Sequence, residues 1–402
     1  MSYKRLNIAV IIASGLKSGG GYQYEYMVLD ILKKHHNDEN ISLNYYASSN
    51  KILKDYSDLN LDIKTINENI FQKFQRFCIS NIFLYKLFSK IGYGSSSIEK
   101  KLLEDKIDLI YFVSPNLRSQ GLSNIPYIFT LWDLGHLEMP EFPEVSYERR
   151  FELREFIYNR SLKKAINVIV DSEYSKQYTI NKYNLDRERV KVLRYLPNIQ
   201  TIQSTESIVI KQKYNLNNDY IFYPAQFWAH KNHIYILEAI KILRKEQDID
   251  IDVVFSGSDK GNLRYILNKA KEFGIEDLIH YIGFAPNNEI PLLYRQSLAL
   301  VMPTYLGPTN IPPLEAFAYQ TPVCYSDTPF FREQVGDAVF YMDLKDPNSL
   351  VQNLMTIKNN KKITNDKINK GKVVLENWND KDFYNELLKF FNDFKYLRNR
   401  WE

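Results

Sequence analysis

MPTYLGPTNIPPLEAFAYQTPV, residues 302–323, is the stretch from which the rest of the chain is best read. An apolar run at 298–301 leads into Pro303, Gly307 and Pro308, which make a loop. Thr309 or Asn310 can then cap a helix whose first turn tolerates Pro312 and Pro313. Glu315 falls just inside that start. Unpaired amides and a partial positive charge at a helix mouth suit an anion, and a carboxylate beside them can accept from both hydroxyls of a ribose. The segment reads as a cradle for a nucleotide diphosphate. The plainer alternative is a helix start in which Glu315 only complements the macrodipole.

The surroundings favour the cradle. Residues 220–343 alternate apolar strands (220–224, 251–256, 279–283, 298–303, 322–325, 338–342) with helical patterns, as a doubly wound sheet does. Ligands bind outside the carboxyl ends of such strands, so the segments leaving Pro224, Ser256, Gly283 and Pro303 are expected to face one crevice. The first half offers strands at 7–14, 41–48, 61–66, 108–113, 126–132, 167–171 and 190–195. The polar stretch 198–206 has no periodicity and reads as a linker.

The expected architecture is α/β, with two Rossmann-like domains facing each other across a crevice. An N-terminal domain would cover 1–197, a linker and the start of the second domain 198–218, and a second, nucleotide-binding domain 219–376. Residues 377–402 would form a closing helix. Asn379 or Asp380 can cap it, and Phe383, Leu387, Phe390, Phe391 and Phe394 make an apolar stripe at near-helical spacing.

A chain of 402 residues with 45% hydrophobic content can fill two cores. A formal net charge of +4 is too mild to argue for nucleic acid. Cys78 and Cys324 sit in apolar contexts without metal-ligand spacing, which fits a reducing cytoplasm. The start, MSYKRLNIAVIIASG, imitates a signal peptide, but Asn7 interrupts the run and a Gly-rich turn follows, so it reads as a buried first strand. Residues 71–92, FQKFQRFCISNIFLYKLFSKIG, place large apolar groups beside Lys73, Arg76, Lys86 and Lys90. They read either as core helices or as a basic amphipathic surface resting on an anionic bilayer.

Several motifs then fall in order: YPAQFWAHKNHIYILEAI at 223–240, VVFSGS at 253–258, YIGF at 281–284 and PPLEAFA at 312–318. With WDLGH at 132–136 and DSEYSK at 171–176, the chain resembles a retaining glycosyltransferase of family 4, with the GT-B fold, and in particular the members that build polysaccharides and O-antigens. The resemblance implies a cytoplasmic enzyme, peripheral on the inner face of a membrane in the sharper version, that moves a sugar from a nucleoside diphosphate donor to a glycan or lipid-linked glycan. It implies an acceptor-side domain at 1–197, a nucleotide-sugar-binding domain at 219–376 and a C-terminal helix, 377–402, that crosses back to the first domain, with no cofactor, no metal and no nucleic acid. Attack would come on the leaving-group face, with the departing phosphate helping to take the acceptor proton.

The same resemblance assigns roles. Lys231 would hold the donor diphosphate, where a compact cation meets charge that grows as the glycosidic bond breaks. Glu315 would hold the ribose, and Gly307, Thr309, Asn310, Ile311, Gln226, Gly257 and Phe284 would complete the donor site. Gln226 stands where the family often has an Arg, and Gly307 where it has the first of two glutamates. Trp132 takes a position usually held by His, Asp133 is kept, and His136 follows as a polar active-site group or a surface residue. The Gly19, Gly20 and Gly21 run would let backbone approach an acceptor or phosphate, with a helix starting at about Tyr22. Asp248, Asp250 and Asp252 form a D-x-D pattern but enter a strand, and so read as solvated residues at the far end of the sheet. Two alternatives stay open: a nucleotide-sugar 2-epimerase of similar fold, and a non-catalytic two-lobed sugar-binding protein.

Overall fold

The structure, a computed structural model, describes residues 5–13, 19–90, 95–197, 199, 209–307 and 309–401. Two compact units emerge. The first comprises Met1–Leu134, Glu148–Tyr195 and Asp380–Glu402, and the second Gly135–Tyr147 and Leu196–Asn379.

In the first unit the apolar runs pair into one sheet: β1 (Leu6–Ile12), β2 (Ile41–Ala47), β3 (Ile63–Thr65), β4 (Leu109–Phe112), β5 (Tyr127–Thr130), β6 (Asn167–Val170) and β7 (Val190–Val192). The order is β3-β2-β1-β4-β5-β6-β7, and every pair is parallel. LNIAVII of β1 is apolar without alternation because a central strand of a parallel sheet is covered on both faces. The strand order reverses between β1 and β4, and the helix Gly20–His35 begins just beyond β1.

The helix Asp380–Arg398 completes this unit, as the apolar stripe predicts. Phe383, Leu387, Phe390, Phe391 and Phe394 are all buried. Phe391 meets Tyr111 of β4 edge to face, ring centroids 6.0 Å apart. Arg398 Nη1 lies 2.5 Å from Asp108 Oδ2, and Lys34 Nζ 2.5 Å from Asp380 Oδ2.

The second unit carries β8 (Tyr220–Pro224), β9 (Asp252–Ser256), β10 (Ile279–Tyr281), β11 (Ala299–Met302), β12 (Val323–Ser326) and β13 (Phe340–Met342). They form a parallel sheet in the order β10-β9-β8-β11-β12-β13. Its order reverses between β8 and β11, so the switch point lies between the segments that follow those two strands. The GT-B expectation of two Rossmann-like domains is met.

Three expectations change. Residues 135–147, placed in the first domain, pack with the second unit, because Phe142 meets Tyr305 at 5.5 Å and the His230 amide donates to Glu144 Oε1 at 2.8 Å. Asp252 is buried rather than solvated: it accepts from the Asn218 backbone at 2.9 Å, while Asp250 pairs with Arg244. The third concerns residues 71–92, where Phe71, Phe74, Phe77 and Phe83 are exposed and so are not core. The expected linker at 198–206, save for Ile199, lies outside the described residues.

Candidate active site

The segments on either side of the second unit's switch point bring Lys231 and Asn310 together. After β8 the chain makes a short turn, Ala229–Lys231, and Asn232 then takes a left-handed conformation before the helix His233–Gln247. The Lys231 backbone is held from both sides: its amide donates to the Trp228 carbonyl at 3.1 Å, and its carbonyl accepts from the Tyr223 hydroxyl at 2.8 Å. From that frame Lys231 Nζ reaches Asn310 Oδ1 at 3.3 Å.

Asn310 is the hinge pin of the loop after β11. Its Nδ2 donates to the Gly307 carbonyl at 2.9 Å and to the Tyr325 hydroxyl at 2.8 Å. Gln334 closes the arrangement, donating from Nε2 to the Asn310 carbonyl at 2.6 Å. Gly307 has φ of 100°, and a Cβ there would sit 3.2 Å from Asn310 Oδ1. The departure from the family pattern at 307 thus has a physical reason: a glutamate would suffer both backbone strain and a tight contact with Asn310.

Glu315 lies in the second turn of the helix Ile311–Ala318, with Ile311 buried at its first position. Pro312 and Pro313 bring no N–H, and the Asn310 amide donates to Gln334 Oε1 at 3.3 Å. The amide supply at this helix mouth is therefore smaller than a generic helix start would give. Thr309 is half-buried in the same loop, and Pro308 lies outside the described residues. From behind, Gly371 of the helix Lys361–Glu376 allows close approach to Phe317; a Cβ there would fall 2.5 Å from Phe317 Cδ1.

Burial pushes the Glu315 carboxyl up to about 7, against the hydrogen bond from the Tyr294 hydroxyl at 2.7 Å, which pulls it down. Below pH 4.5, the ordinary value, folded and unfolded chains both hold the proton and the shift contributes nothing. As pH rises from there to 7, the unfolded chain releases its proton while the folded chain keeps it, so the folded state is progressively disfavoured. Above 7 the penalty levels off at about 3 kcal/mol. Glu315→Gln keeps an oxygen for Tyr294 and should raise Tm much more at pH 8 than at pH 5. Thermal melting at the two pH values checks this, and an equal shift at both would assign the effect to packing.

Further along the carboxyl edge, the segments after β8, β9 and β10 are knit together. Phe227 N donates to the Ser258 carbonyl at 3.0 Å, and Gly257 N to the Gly283 carbonyl at 2.8 Å. A Cβ at Gly257 would lie 2.4 Å from the Ala225 carbonyl oxygen, so only glycine fits there. Gln226 Oε1 accepts from the Trp228 indole at 2.9 Å, with Lys260 Nζ 5.6 Å from the centre of the Trp228 ring. Phe284 is largely exposed beside Gly283. Beneath this edge His233 stacks on Phe227 with ring centroids 4.2 Å apart, and burial holds its pKa down at about 3, so it stays neutral.

Residues 135–147 border the same edge. His136, on the short helix Gly135–Glu138, is fully buried, which corrects its reading as a surface residue. Glu144 accepts from the His230 backbone and pairs with the His230 ring; burial acts to raise its pKa, but these hydrogen bonds outweigh it and leave the carboxyl below its ordinary value. Tyr294, Tyr325, Gln334 and Glu144 escaped the sequence reading because each acts through a partner distant in the chain.

In the first unit, Asp133 pairs with Arg154 at 2.6 Å, and that carboxylate raises the guanidinium's pKa ahead of the opposing burial. Gly19, with φ of 90°, precedes a helix that starts at Gly20 rather than at Tyr22. Nothing lies within 4 Å of where a Gly20 side chain would begin, so only Gly19 needs to be glycine on backbone grounds.

Residues 204–374 match the family model of the glycosyl transferases, group 1. This part of the chain is similar to that family. The group 1 match covers Lys231, Gly307, Asn310 and Glu315 together. RfbU, an O-antigen chain mannosyltransferase of Salmonella typhimurium, is 25% identical over 197 residues, 48% of this chain and 51% of that protein. O-antigen chain mannosyltransferase B of Escherichia coli is 26% identical over 221 residues, 53% of this chain and 57% of that protein. The chain thus spans little more than half the length of these curated relatives. The structure of Anabaena HepE in complex with UDP-glucose superposes with a TM-score of 0.72 at 13% identity, covering 97% of this chain and 100% of that one. The glycosyltransferase WaaG, involved in lipopolysaccharide biosynthesis, gives 0.62 at 14% identity, covering 92% and 96%. Neither a 2-epimerase nor a non-catalytic sugar-binding protein is favoured by these matches.

Proposed function

We propose that the chain is a hexosyltransferase that moves a sugar, mannose in the version the relatives' names support, from a nucleoside diphosphate donor to a glycan or lipid-linked glycan hydroxyl. Surface polysaccharide synthesis in the cytoplasm, at the inner face of a membrane, is its proposed setting. The observation that carries the proposal is the meeting of Lys231 with Asn310 across the switch point, one helix turn before Glu315. Lys231 would face the diphosphate, Glu315 the ribose hydroxyls, the 307–311 loop the sugar and phosphates, and the exposed Phe284 ring the base.

In the proposed reaction the bond from the anomeric carbon to the diphosphate oxygen breaks, and a bond to the acceptor oxygen forms on the same face. The acceptor proton passes to the departing phosphate, so configuration is retained and no carboxylate nucleophile is needed. Metal independence is part of the proposal. It is supported by the cation at Lys231, which could meet the diphosphate charge that a metal would otherwise meet. Asp133, His136 and the Gly19–21 turn remain candidates for the acceptor side.

Incubation with UDP-, GDP- and dTDP-sugars and lipid-linked glycan acceptors, with and without EDTA, tests the proposal. A mass increment of one hexose on the acceptor, release of nucleoside diphosphate and indifference to EDTA are expected. Conversion of donor without acceptor would replace the proposal with epimerisation. Loss of activity in EDTA, restored by manganese or magnesium, would overturn metal independence.

A further inference from the structure

The helices Ile70–Ser80 and Ile82–Lys90 of the first unit bury Cys78 and Ile79 but turn most of their other large apolar side chains outward. Ile70, Phe71, Phe74, Phe77, Phe83 and Leu87 are between 57% and 84% exposed. Arg76 alone of the four cations faces inward: it is buried and its Nε donates to Glu68 Oε1 at 2.9 Å, with Gly121 packed against its side chain. The first helix is firmly begun by a reciprocal cap between Asn69 and Gln72, so its orientation is fixed by a cap at one end and an ion pair beneath. Six large apolar groups on one face exceed what scattered surface residues explain.

We propose that this face rests on an anionic lipid bilayer, with the phenylalanines in the headgroup and acyl boundary and the lysines against lipid phosphate. Charge argues for that occupant. Residues 69–90 hold Lys73, Arg76, Lys86 and Lys90 and no Asp or Glu, and all three lysines are exposed. A second copy of the chain is disfavoured by the same charges, because a two-fold interface sets one patch against itself and would oppose lysine to lysine. Among the described residues no helix is long and apolar enough to cross a membrane, so the contact is interfacial. No donor residue takes part, and binding is read without turnover, so this inference stands or falls separately from the glycosyl-transfer proposal.

The test is co-sedimentation of the full chain with vesicles of phosphatidylglycerol and phosphatidylcholine, and of phosphatidylcholine alone. Binding to the anionic vesicles, weakened by salt and much reduced on the neutral ones, is expected. Replacing Lys73, Lys86 and Lys90 by Gln should weaken binding to anionic vesicles by about two orders of magnitude. Phe71→Ser with Phe83→Ser should weaken it on both vesicle types while leaving melting unchanged, since both side chains are exposed. Phe83→Trp should show added blue-shifted fluorescence only with vesicles. Absence of binding by the unmodified chain, or equal binding by the lysine variant, would overturn the inference. So would a concentration-dependent dimer abolished by the phenylalanine substitutions, which would identify a second copy as the occupant.

Discussion

Lys231→Ala should lower kcat by about two to three orders of magnitude, the loss typical of removing one preorganised group from the site of developing charge. In the proposed role the effect falls on kcat, because charge on the leaving diphosphate would grow as the glycosidic bond breaks and the ammonium would interact more strongly with the transition state than with bound donor. The fold should survive the change. The Lys231 backbone is held by Trp228 and Tyr223, and Asn310 keeps its bonds to Gly307 and Tyr325 when the lysine goes. Unchanged melting with a collapsed kcat is the expected pair of measurements. A variant with unchanged kcat on the true donor would move the diphosphate site elsewhere.

Removing residues 380–402 should leave the first unit unable to fold stably while sparing the second. Phe383, Leu387, Phe390, Phe391 and Phe394 are almost wholly buried, and at about 1.5–3 kcal/mol for each large apolar side chain their loss reaches roughly ten kcal/mol. A domain's whole stability is about 5–15 kcal/mol, so the truncation removes most of it. The milder Phe391→Ala should cost about 3–5 kcal/mol through the cavity left beside Tyr111. Calorimetry should show one transition lost and one kept in the truncated chain. Full activity with an unchanged melting profile would refute the role given to this helix.

Much of this architecture was legible because parallel strands, covered on both faces, appear in sequence as uninterrupted apolar runs; β1, β8 and β11 are examples. The places of Lys231 and Glu315 after β8 and β11 were legible because their spacing from those strands is set locally. What stayed hidden was non-local. Nothing near Glu144 announces that it will pair with His230, and residues 135–147 have no periodicity from which to assign them to a unit. Tyr294 gives no sign that its hydroxyl will meet Glu315. In 70–90 the composition was plain but the facing was not, because the buried partner of Arg76 decides which side turns outward, and Glu68 lies outside the helix.

The chain passes from one unit to the other at 134–135, 147–148, 195–196 and 379–380. That threading sets rules for recombining it with its relatives. A chimera joined at a single crossover near residue 196 would inherit Glu144 from one parent and its partner His230 from the other, and would likewise divide Tyr111 from Phe391. Parental segments therefore have to be exchanged as noncontiguous sets, 135–147 with 196–379 and 380–402 with the N-terminal sheet. In this protein the heritable module is a group of segments rather than a stretch of gene.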